Sequence, residues 1–195
     1  ADYQKIFETL VENVIKESID EFKVFGIENL NKNDAYIFVS NHRDITLDSA
    51  LLNYSLHRNN FKTTNNAVGN NLMEERWASD LMRLNKSFII DRGGKSKREI
   101  YKSLNLVSEF IFNQVTECSE SVWIAQKQGR AKDGIDITDP SVLKMIHLFS
   151  RKDMNIGNCL NKLKVIPVAI SYEYDPNDLK KSREGLASIN NTAYK

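Results

Sequence analysis

The run Ala35-Tyr36-Ile37-Phe38-Val39-Ser40 is apolar at nearly every position, without the polar–apolar alternation of a half-wet strand. A strand that does not alternate has both faces covered, as in a parallel sheet flanked by helices. That one segment restricts the chain to a layered α/β fold. Further strand candidates lie at residues 22–27, 67–69, 87–91, 121–125 and 165–172. Between them fall helix-length stretches at 47–57, 72–84, 100–115 and 140–149 with apolar residues at helical spacing. Leu72, Trp77, Leu81 and Leu84 share one side of the second, and Pro140 suits the first turn of the fourth. Strand and helix alternate throughout, which predicts one α/β domain with a largely parallel (mixed) sheet covered by helices on both faces.

Residues 1–21 are expected to hold an amphipathic helix packed on the domain, with Ile6, Leu10, Val14 and Ile15 on its apolar side. Residues 22–175 form the α/β domain, and residues 176–195 read as a polar C-terminal tail. The chain opens on Ala1 rather than Met, so a longer natural protein is expected. A net charge of +1 creates no global field toward nucleic acid, so any anion-binding site must be local. Cys118 and Cys159 are too few for a disulfide framework and lack metal-site spacing, which fits a reducing, cytoplasmic setting. No apolar run reaches the roughly 18–20 residues needed to span a bilayer.

Asn41-His42 follows the strand at 35–40 directly, and acids stand at Asp44 and Asp48. In open α/β sheets, ligands bind beyond the carboxyl ends of strands, so His42 is a candidate general base. Residues six apart on a regular helix point about 120° away from each other. His42 therefore reaches Asp48 only from the turn before the helix; Asp44 is the alternative partner. The bland reading is that Asn41-His42 caps the next helix.

Three more strand ends carry polar chemistry. Phe88-Ile89-Ile90-Asp91-Arg92-Gly93-Gly94 delivers a guanidinium to a glycine turn, and a planar fork suits phosphate oxygens. Trp123-Ile124-Ala125-Gln126-Lys127-Gln128-Gly129-Arg130-Ala131-Lys132 runs into a cationic loop. Val165-Ile166-Pro167-Val168-Ala169-Ile170-Ser171-Tyr172-Glu173 supplies an apolar wall, with Pro167 marking an irregular strand start. His57 and His147 read as structural residues, and Trp77 and Trp123 as core.

Taken in order, these four blocks resemble those of the glycerolipid acyltransferases, the superfamily of glycerol-3-phosphate and 1-acylglycerol-3-phosphate acyltransferases. The resemblance covers about residues 22–175. Val24-Phe25-Gly26-Ile27-Glu28-Asn29-Leu30 is similar to the strand and turn before the family's histidine block, and Ile170-Ser171-Tyr172-Glu173 is most similar to the glycerol-3-phosphate branch. The resemblance implies a role in phospholipid biosynthesis: acyl transfer from acyl-CoA or an acyl-acyl carrier protein to a glycerol phosphate or lysophospholipid-type acceptor. It implies His42 as base, Asp48 as its orienting acid, and Arg92 and Arg130 as phosphate ligands. Gly129 and Lys132 would assist them, and Pro167 would wall the acyl donor. Neither metal nor cofactor is implied, and peripheral membrane contact at the cytoplasmic side is expected. Backbone N–H groups near His42 are the expected oxyanion donors.

Two departures stand out. The family places four residues between its His and Asp; here five separate His42 from Asp48. The third block usually reads Glu-Gly-Thr-Arg or Glu-Gly-Gly-Arg, and here Lys127 and Gln128 occupy the Glu and first Gly positions. A non-catalytic lipid- or acyl-carrier-binding relative is therefore the alternative. A hydrolase or metal enzyme built on His42, Asp44 and Asp48 is the third reading.

Overall fold

Five strands form one parallel sheet in the order β3-β2-β4-β1-β5, where β1 is Ile37–Ser40, β2 Asn65–Gly69, β3 Ser87–Ile90, β4 Val122–Ala125 and β5 Val165–Val168. The computed structural model describes residues 3–69, 85–91, 93, 96–131 and 134–189. Six helices accompany the strands among these residues: α1 Tyr3–Ser18, α2 Leu47–Arg58, α3 Lys97–Thr116, α4 Pro140–His147, α5 Ile156–Lys162 and α6 Asp178–Ile189. The expected helix at 72–84, with Trp77, lies outside the described residues. Every pairing among the described strands is parallel, so the mixed character allowed by the sequence is absent there.

All four residues of β1 are buried, as its unbroken apolar pattern requires. Ile37 and Val39 face one side of the sheet, packing with Val122 and Ile124 against α3, α4 and α5. Tyr36 and Phe38 face the other side with Trp123, Leu52 and Leu56, beneath α2. The connection leaving β1 and that leaving β4 thus cross opposite faces of the sheet. Where neighbouring strands part in this way, a crevice opens beyond their carboxyl ends. Ser40 pairs level with both Ala125 and Val168, so three strand ends meet at one height below that crevice.

Helix α1 packs on α2 through Val11, with Phe7 and Ile15 set against Ala50, Leu51 and Tyr54. A second tie between α2 and the sheet is polar: Asn53 Oδ1 accepts from the Thr64 backbone N–H, and Asn53 Nδ2 donates to Asn66 Oδ1, all three residues being buried.

Several expectations are corrected. Residues 22–27 form no strand: Gly26 takes a left-handed φ of 84° and leads into the short 3-10 turn Ile27–Asn29. Pro167 does not start a strand irregularly but sits within β5, opposite Val39. The sheet tolerates it there because β5 is an edge strand, where a missing N–H interrupts no ladder. The fifth strand ends at Val168 rather than 172, and the residues beyond it enter the site. The segment read as a polar tail contains α6.

Candidate active site

His42 stands in the turn between β1 and α2, and Asp48 lies in the first turn of α2. The ring Nδ1 and Asp48 Oδ2 are 3.0 Å apart. The same oxygen accepts from the backbone N–H of Arg43 at 2.7 Å and of Asp44 at 2.9 Å. Its partner Oδ1 accepts from the Tyr172 hydroxyl at 2.9 Å. The Asp48 side chain is fully buried, so four donors hold it where water does not reach. A carboxylate offers only acceptors. Nδ1 must therefore carry the proton, which leaves the lone pair on Nε2. The His42 side chain remains 14% exposed, with its ring edge-on to Trp123 at 6.1 Å.

Asp44 has another task. Its Oδ1 accepts from the backbone N–H groups of Thr46 and Leu47, and its Oδ2 from Asn177. Two free N–H groups at the start of α2 are thereby satisfied, as the first turn of any helix requires. Across five intervening residues His42 meets Asp48 because it stands in the turn before α2. Among the described residues, no three His, Cys, Asp or Glu side chains cluster as a metal-ion site.

The turn is held from three sides. The Asn41 amide pairs with the Ile170 backbone, donating to its carbonyl and accepting from its N–H, both at 2.8 Å. This carries the β1–β5 pairing past the strand ends and brings Tyr172 over Asp48. The Arg43 guanidinium binds Asp136 at 2.6 Å and Asp175 at 3.4 Å. From the β4 side, the Ala131 N–H donates to the His42 carbonyl at 2.7 Å, and Gln126 N–H donates to Ser40 O.

Between those contacts Gly129 adopts a φ of 75°, a conformation costly to residues with a Cβ. It bends the loop in which Arg130 immediately precedes Ala131, the residue bonded to the His42 carbonyl. Arg130 is half-buried, and its guanidinium has no carboxylate or carbonyl partner among the described residues. Arg92 and Lys132 lie outside the described residues; the flanking Asp91 follows β3, whose carboxyl end faces the same way as that of β1. Pro167 is exposed on the edge strand.

The expected oxyanion donors are corrected in part: the N–H groups of Arg43 and Asp44 are both engaged by Asp48. His57 pairs with Glu8 at 3.3 Å, and His147 Nε2 lies 2.7 Å from the Met154 carbonyl, so both histidines are far from this chemistry. Trp123 is core, 3% exposed.

Sequence reasoning assigned no role to Arg43, Tyr172, Asp136, Asp175 or Lys181. Their partners are up to 138 residues away, and no local spacing announces such contacts. Tyr172 alone carried a signal, as part of the fourth block.

Burial and the neighbouring Asp48 carboxylate push the Tyr172 phenol far above the ordinary tyrosine range, with Asp44 and Asp175 adding to the effect. It stays a donor to Asp48 at any working pH. A buried acid thus holds the imidazole through Nδ1 at the carboxyl ends of the strands.

No described helix is long and apolar enough to cross a membrane. No curated protein sequence matches the chain. The model of the family described as Acyltransferase matches residues 21–129, more than half of the chain. The matched stretch includes His42 and Asp48 and ends one residue before Arg130.

Proposed function

Because the chain belongs to the acyltransferase family, we propose that it transfers a fatty acyl group from a thioester donor to the hydroxyl of a glycerol phosphate or lysophospholipid-type acceptor. The observation that carries this reading is the hydrogen bond between His42 Nδ1 and the fully buried Asp48 carboxylate. His42 Nε2 takes the hydroxyl proton as the acceptor oxygen attacks the thioester carbonyl. Asp48 stabilises the imidazolium that forms, a role parallel to the carboxylate of a serine-protease triad, with the substrate alcohol in place of the serine. The tetrahedral intermediate then collapses, the C–S bond breaks, and the leaving thiolate takes the proton from His42, which returns to its neutral form as the free thiol departs. General-base assistance of this kind supplies about 10²–10⁴-fold in rate.

Arg130 is the phosphate ligand in this scheme, with Arg92 and Lys132 as its partners. A guanidinium that lacks a carboxylate or carbonyl partner among the described residues, one residue before the Ala131 N–H that meets the His42 carbonyl, is suited to a substrate anion, which it can bind with two N–H groups. Gly129 sets the loop that carries it, and Pro167 belongs to the acyl-donor wall. The donor is acyl-CoA or an acyl-acyl carrier protein, and the enzyme works at the cytoplasmic face of a membrane without a cofactor or metal.

A transfer assay tests this reading. Purified protein is offered both donors against a panel of glycerol phosphates and lysophospholipids, and products are identified by mass spectrometry. Thioester consumption that requires an added acceptor is the expected result. Tight ligand binding with no turnover would instead identify a non-catalytic relative, the reading favoured by Lys127 and Gln128 in the third block. Chelator-sensitive hydrolysis would point to a metal enzyme.

A further inference from the structure

We infer that Tyr172 is the positioning residue of the catalytic pair, acting through Asp48 to fix the basicity of His42. This rests on the reading of His42 as the general base. Asp48 has two oxygens with different work. Oδ2 serves His42 and two backbone N–H groups, whereas Oδ1 has Tyr172 as its hydrogen-bond donor among the described residues. The Tyr172 ring packs in the α1–α2 cluster beside Val11, Ala50 and Leu51, and its hydroxyl alone reaches the acid. Two further bonds place that hydroxyl, the pair between Asn41 and Ile170 two residues earlier.

The chemistry follows from what a donor does to a carboxylate. A hydrogen bond to Oδ1 draws negative charge from Oδ2, so the Nδ1–H of His42 meets a weaker acceptor and the imidazolium is less stabilised. Removing the donor should raise the proton affinity of both Asp48 and His42. The charges around the pair are Asp44 from the turn, Asp175 beyond β5, Arg43 tied to Asp136 and Asp175, and Lys181 from α6 bonded to Asp175, while Arg130 on the β4 loop precedes the residue bonded to the His42 carbonyl. None of these is altered by Tyr172→Phe, which deletes one oxygen.

The test compares wild type with Tyr172→Phe by NMR titration of the His42 ring and by pH profiles of kcat/KM. The variant should titrate His42 about one unit higher, and the acid limb of kcat/KM should move up with it. Both KM values should stay within about twofold, and the shift should vanish in an Asp48→Asn background. An unshifted His42 titration, or a loss of activity confined to KM, would overturn the inference. Should the variant not fold, the wild-type Tyr172 ring carbon decides: ionisation in step with the exposed tyrosines would overturn it, and persistence of the phenol would support it. The ring titration needs no turnover. A protein with no transferase activity would therefore sink the proposed function without touching this measurement.

Discussion

Lys181 of α6 donates to the backbone carbonyl of Arg43 at 2.6 Å, so the last helix closes over the turn that carries His42. Its side chain is only 3% exposed, and its ammonium also binds Asp175, the acid that meets Arg43 from the other side. A buried ammonium keeps its charge only where acceptors surround it.

Lys181→Met should therefore leave the Arg43 carbonyl without its donor and Asp175 with one cation instead of two. Urea unfolding should register a loss of about 1–3 kcal/mol, the usual penalty for an orphaned buried polar group. Because the turn itself loosens, kcat should fall more than either KM rises.

Arg130→Ala should raise the acceptor KM and leave the donor KM unchanged. A charge-assisted hydrogen bond contributes about 1.5–3 kcal/mol, which corresponds to roughly ten- to a hundred-fold in KM. Arg130→Lys should restore part of it, since a lysine keeps the charge but loses the planar fork. Steady-state kinetics with a phosphorylated acceptor and its dephosphorylated analogue would check both: the analogue should not distinguish wild type from Arg130→Ala.

Glu120 gives the clearest pH dependence of stability. Burial alone would push its carboxyl up, but hydrogen bonds from Lys86 and Lys62, each 3.1 Å away, outweigh that and hold it below the usual range. A depressed folded value means that the stabilisation is complete above the unfolded pKa and is lost as pH falls through the folded one. Both lysines are well exposed, so water screens the pair. Glu120→Gln should cost about 0.5–1 kcal/mol near neutral pH and nothing in strong acid. Urea unfolding at the two pH values measures the difference, and high salt should shrink the neutral-pH value.

The sheet and its site differ in how far the linear sequence reveals them. β1 was readable because burial on both faces leaves an unbroken apolar run, and α2 because Leu47, Leu51 and Leu52 follow the turn at helical spacing. Asp48 is preferred over Asp44 through the resemblance, since Leu47-Asp48 followed by Leu51-Leu52 matches the family's run after its aspartate, and the structure gives a second reason: Asp44 serves the first turn of α2. α5 escaped notice because Gly157, Asn158 and Asn161 give it little helical character; Asn155 caps it and Cys159 buries it. Residues 22–27 misled because aromatic and β-branched side chains favour strands, yet Gly26 turns the chain before any partner strand is met. Tyr172, Lys181 and Asp175 could not be found by spacing. Their contacts exist only once α6 and the end of β5 have folded back on the first turn.

The most direct measurement is acyl transfer by His42→Ala against wild type, with both substrates saturating and the fold verified by circular dichroism. The predicted result is a fall in kcat of about 10²–10⁴-fold with both KM values nearly unchanged. Transfer at the wild-type rate by the folded variant would contradict the assignment of His42 as the base.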